Sequence, residues 1–191
     1  MGFVRTMHRL FAAVALLLCS SSLARAQEAS PSEQLKNPKL TLSDMYAKAE
    51  AKAKAWKADA VPARITNMGP LDEQGRSEAW NLTFFSASAN AHVRIGTFRG
   101  MFNCYADTGS AGRIPDLKPT FFRDGAKLYA LAKENGANYL TQGYTVALGT
   151  SAAPSDRHAT WYLTFSKDNK NAPLTVIVDA NTGAVEKVLK Q

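Results

Sequence analysis

The sequence predicts an α+β fold made of two α-β-β-β repeats, an antiparallel sheet with its helices on one face. Three observations lead there. Two stretches with helical character, one starting near Thr41 and one near Thr120, are each followed by runs of strand period. The pentapeptide Trp80-Asn81-Leu82-Thr83-Phe84 returns as Trp161-Tyr162-Leu163-Thr164-Phe165. Around it, Tyr46-Ala47-Lys48-Ala49 is loosely echoed by Tyr129-Ala130-Leu131-Ala132, and Asp107-Thr108-Gly109 by Asn181-Thr182-Gly183, in the same order in each half. The spacings differ, so the loops differ in length between the copies.

The chain has 191 residues, and its first 26 read as a cleavable export signal. Arg5, His8 and Arg9 form a basic n-region, Leu10 to Leu18 a wholly apolar h-region, and Ala24-Arg25-Ala26 a small-x-small site that leaves Gln27 as the new N-terminus. A span of the bilayer needs about 20 apolar residues, and this run is too short to stay as an anchor. Cys19 raises the alternative of lipidation, but Leu18 stands where a lipoprotein signal carries a small residue. The signal contains three arginines and no acid, so the formal charge falls from +7 to +4 on its removal. The remaining lysines are spread along the chain, and nothing clusters as a nucleic-acid footprint.

Residues 27–40, rich in Ser, Pro, Gln and Lys, read as a flexible lead-in. A degenerate first repeat follows over 41–110. Its helix has Thr41 or Ser43 as N-cap and Asp44 in the first turn, and it runs through Trp56, before Pro62. Strands follow at 63–68, 78–86 and 92–98, with Met101–Tyr105 continuing the last past Gly100. After a linker with Gly112, Pro115 and Pro119, the second repeat covers 118–191. A helix over 120–135 stops at Gly136, strands fit 144–148, 159–166 and 174–179, and Val185–Leu189 makes a last short strand. The two repeats are expected to pack as one unit.

Alternation assigns the two sheet faces. Trp80, Leu82, Phe84, Val93, Ile95, Trp161, Leu163, Phe165, Val176 and Val178 turn toward the helices. Asn81, Thr83, Phe85, His92, Arg94, Tyr162, Thr164, Thr175 and Ile177 turn away. The tryptophans are therefore expected to be core, not a ligand cage. On the open face, Phe85, His92, Arg94, Tyr162 and Thr164 are the candidate partner-binding residues, because aromatics mixed with cations are enriched at interfaces. An ordinary solvated face is the competing reading.

The second repeat resembles a PepSY domain. The likeness rests on Trp161-Tyr162-Leu163-Thr164-Phe165 and on Leu174-Thr175-Val176-Ile177-Val178-Asp179-Ala180-Asn181-Thr182-Gly183-Ala184-Val185, a strand entering an Asp-Ala-x-Thr-Gly turn and a further short strand. The first copy keeps Asp107-Thr108-Gly109 but has no clean strand into that turn. The resemblance implies the fold of beta-lactamase inhibitor proteins, tandem repeats of helix plus antiparallel strands that leave one sheet face open. It also implies an exported or membrane-associated protein that binds or restrains peptidases. This chain would be a stand-alone copy, with no attached peptidase domain.

Motifs for chemistry are missing. There is no Gly-x-Ser-x-Gly, no His-Glu-x-x-His, no paired Cys-x-x-Cys and no phosphate-cradling glycine loop. Asp179-Ala180-Asn181-Thr182-Gly183 begins like a calcium loop, but the later ligands do not follow, so it reads as a turn. No catalytic residue, metal or cofactor is expected. The expected function is an exported binding module for an unknown envelope protein or peptide, a modulator or inhibitor of an envelope or secreted enzyme. The alternatives are a small enzyme using Cys104, the one cysteine beyond the signal, or a structural envelope component.

Overall fold

The computed structural model describes residues 32–107, 113–114, 116–150, 158–167 and 170–191. The export signal, Cys19 and the Thr108-Gly109 end of the first turn motif lie outside the described residues. The elements in chain order are β1 (Glu33–Gln34), β2 (Leu40–Thr41), α1 (Leu42–Trp56), β3 (Val61–Asn67), β4 (Arg76–Ser77), β5 (Trp80–Ser86), β6 (Ala91–Phe98), β7 (Met101–Asp107), α2 (Gly125–Thr141), β8 (Thr145–Thr150), β9 (Thr160–Lys167), β10 (Lys170–Asp179) and β11 (Val185–Lys190).

Each helix begins in the same way. Thr41 caps α1, its Oγ1 accepting from Asp44 N at 3.1 Å, and Asp124 caps α2, its Oδ1 accepting from Lys127 N at 3.0 Å. The repeated tryptophans hold these starts down. Trp80 Nε1 donates to Leu40 O and Trp161 Nε1 to Phe122 O, both at 2.9 Å, just ahead of the respective helices. Both indole rings are buried, so the pentapeptide recurs because each copy needs a large apolar wedge with one donor at its tip.

The main sheet is antiparallel in the order β1-β7-β6-β5-β3-β8-β9-β10-β11, and β2 pairs with β4 in a small second sheet. The first long strands of the two halves, β3 and β8, meet at its centre. That seam is thin: its one ladder pair is Thr66 with Gly149. Two buried side chains do the work of missing ladder bonds. Thr150 Oγ1 accepts from Ile65 N at 2.9 Å, and Asn67 Oδ1 accepts from Leu148 N. On the helix side one core runs across the seam, from Leu42, Met45, Tyr46, Leu82 and Ile95 to Leu128, Leu148, Leu163, Phe165 and Val176. The halves also touch where the Gly75 loop meets the N-terminus of α2: a Cβ on Gly125 would lie 2.6 Å from Gly75 O.

All ten residues expected to face the helices are buried. Three expectations change. Met101–Asp107 does not continue β6 but folds back on it as β7, with Phe98 paired to Met101. Arg99 (φ 50°) and Gly100 (φ 76°) are both left-handed, as a two-residue hairpin with the sheet's twist requires. With β11 in the second half, each half has four long strands, β3 and β5–β7 in the first and β8–β11 in the second. The second helix starts at Gly125 and passes through Gly136 to Thr141. Gly136 is a kink rather than a stop, and its α-carbon is packed so closely on Phe165 and Leu174 that a Cβ would lie 2.4 Å from the Phe165 ring. In the lead-in, β1 pairs with β7 at the sheet's edge and Leu35 is buried.

Candidate functional site

Register carries the alternation across the sheet. Leu82, Ile95 and Cys104 form one row of neighbours on the helix side, and Thr83, Arg94 and Tyr105 form the adjacent row on the open side. In the second half, Leu163 and Val176 face the helices, while Tyr162 with Ile177 and Thr164 with Thr175 face away. Both helices pack on the first of these faces, α1 through Met45, Tyr46, Ala49 and Ala53 and α2 through Leu128 and Ala132.

The open face carries most of the exposed large apolar side chains. Six large hydrophobic side chains are the most exposed among the described residues: Val61, Met68, Phe98, Tyr105, Val185 and Leu189. Register puts Val61 (beside Phe85), Phe98, Tyr105 and Leu189 on the open side, and Met68 continues the alternation of β3 there. Met68 also borders a depression of about 440 Å³ lined by Pro70, Thr145, Ala147 and Ser166 at one end of the seam. Asn81, on the open face of β5, has its Oδ1 buried with no protein hydrogen-bond partner among the described residues.

The five candidate residues share this face but form two clusters. Phe85 and His92 are cross-strand partners with ring centroids 4.9 Å apart, and the Arg94 guanidinium lies over the Tyr105 ring at 5.5 Å. Tyr162 and Thr164 lie on β9 in the other half. Tyr162 shares a cross-sheet row with Asn81 through Thr66 and Gly149, three strand spacings away, and Phe85 lies four residues further along β5. At about 4.8 Å between strands and about 3.4 Å per residue, the clusters are roughly 20 Å apart. Tyr105, which completes the first cluster, sits in a strand that the sequence ran together with its neighbour.

Cys104 lies on the opposite face from His92. It is half-buried against the core, and burial pushes its thiol up, against a smaller pull down from Lys52. The sheet thus separates this sulfur from that imidazole, and no nucleophile–base pair forms between them. Asp179 opens a hydrogen-bonded turn: its Oδ1 accepts from Asn181 N, Thr182 N and Thr182 Oγ1 at 2.7 to 2.9 Å. Burial works to raise this carboxyl, but those donors and the nearby His158 outweigh it and hold it below the usual carboxylate range. The convergence of His158, Asp179 and Glu186 at this turn has no local motif that could announce it.

No protein-family model matches the chain, and no curated protein does. Among solved structures, the crystal structure of a candidate lipoprotein from Clostridium difficile 630 is similar to it, with a TM-score of 0.47 and 14% identity over 76% of this chain and 92% of that one. A likeness at that level carries no argument about function. No helix among the described residues is long and apolar enough to cross a membrane.

Proposed function

We propose that this chain is an exported binding module whose open sheet face docks a protein or peptide of the cell envelope, restraining or modulating an enzyme there. One observation carries the docking face: five of the six exposed large apolar side chains lie on the side of the sheet that neither helix covers, and two of them, Val61 and Tyr105, adjoin Phe85 and Arg94. Exposed apolar side chains that are grouped, rather than scattered singly, mark interaction sites. Export rests on the three-part signal over residues 1–26. The PepSY-like motifs of the second repeat point the same way.

The test is affinity capture from an envelope extract with the processed protein as bait. Phe85→Glu with Tyr162→Glu places a charge at each end of the face, and both side chains are only partly buried, so the fold is expected to survive. The expected outcome is a partner retained by the wild type and lost by the double variant, with circular dichroism unchanged. Equal retention by both removes this face as the docking surface.

A further inference from the structure

We infer that His158, Asp179 and Glu186 form a binding site for a divalent transition-metal ion, of the class that takes zinc. The three residues come from different stretches, the entry to β9, the end of β10 and the start of β11, yet one donor atom of each lies within 4.8 Å of the others. His158 Nε2 is 2.6 Å from Glu186 Oε1 and 4.0 Å from Asp179 Oδ2. Metal–ligand bonds of about 2.1 Å in a tetrahedron set donor atoms about 3.4 Å apart, a value these two separations bracket. A small opening between His158 and Glu186 and a small closing toward Asp179 would seat an ion.

Two features prepare the donors. Asp179 spends its Oδ1 on the turn, where Asn181 N, Thr182 N and Thr182 Oγ1 donate to it, so its orientation is set and Oδ2 is the oxygen presented to His158. Glu186 is the extra residue of a bulge: Ile177 pairs with Lys187 and Val178 with Val185, which leaves Glu186 out of the ladder. Bulges of this kind re-aim a side chain at the end of a pairing. Charge favours an ion as well. Two carboxylates face one imidazole, so a proton on the ring neutralises one of them, whereas a dication neutralises both. Imidazole with carboxylates suits zinc and its first-row neighbours, and soft copper(I) less well. All three side chains are partly exposed, at 43%, 22% and 33%, which leaves room for water to complete the coordination.

The experiment titrates zinc chloride into the chain after treatment with a chelator, read by calorimetry and by thermal denaturation. The expected result is one saturable site and a raised Tm. His158→Ala and Glu186→Gln should each weaken binding by roughly tenfold or more, since even outer-shell partners of a metal site are worth that much. His92→Ala and Cys104→Ser should leave it unchanged. Circular dichroism without zinc shows that each variant is folded, and Glu186→Gln keeps the shape of the side chain it replaces. No saturable binding by the wild type overturns the site. So does binding that survives both His158→Ala and Glu186→Gln, or that disappears with His92→Ala or Cys104→Ser.

Discussion

At the scale of single residues, Gly136 shows most clearly how the fold constrains the chain. The position reads as a helix stop, because glycine commonly ends helices. In the structure it is where α2 touches the sheet, with no space between its α-carbon, Phe165 and Leu174. A methyl group there must push the helix off the core or distort both partners. Gly136→Ala is expected to cost about 1–3 kcal/mol, as overpacking does, despite alanine's better helix propensity. Urea unfolding of the variant measures this. A gain in stability would mean that the helix moves freely on the sheet. Trp80 and Trp161 teach the complementary lesson: their sequence context placed them in the core, and their indole donors explain why the same residue type returns in both copies.

Among the elements, the seam between β3 and β8 depends on side chains where a continuous ladder would use backbone. Thr150→Val keeps the volume and removes the oxygen that receives Ile65 N–H. Leaving that buried donor unpaired is expected to cost about 1–3 kcal/mol, measured by denaturant unfolding. Thr145→Val, at an exposed position on the same strand, is the control and should be close to neutral. Strand positions and faces were legible because period-two alternation survives in β5, β6, β9 and β10, where one side is buried. The β6–β7 hairpin was not, because Arg99-Gly100 lacks the Asn-Gly or Asp-Gly signal and arginine rarely adopts a positive φ. The pairing of Glu33–Gln34 with β7 was hidden for another reason. A two-residue strand has no period, and only its partner, with Leu35 buried beside it, makes it one.

For the whole molecule, the two halves form one object. The core crosses the seam, and the Gly75 loop presses on the start of α2. Unfolding should therefore be a single transition. Trp80 reports from the first half and Trp161 from the second, and Trp80→Phe and Trp161→Phe leave one reporter each among the buried indoles. Within each variant, fluorescence and circular dichroism midpoints are expected to coincide. Separate midpoints would show that the halves melt independently. Of the candidate site, the sequence supplied the face and its five residues, because facing follows from parity alone. It could not supply their grouping, which depends on the strand order between the halves, nor the meeting of His158, Asp179 and Glu186, which depends on a bulge.

That grouping gives the open face a length scale. Phe85, grouped with His92, and Tyr162 stand about 20 Å apart on a sheet whose strand spacing is fixed. A partner bound at both behaves as a bivalent ligand on a rigid ruler, its second contact made at high effective concentration once the first has formed. Selection then falls on the distance between the partner's own two contact points as much as on their chemistry. A short peptide that reaches one cluster alone forfeits that gain, however well it fits.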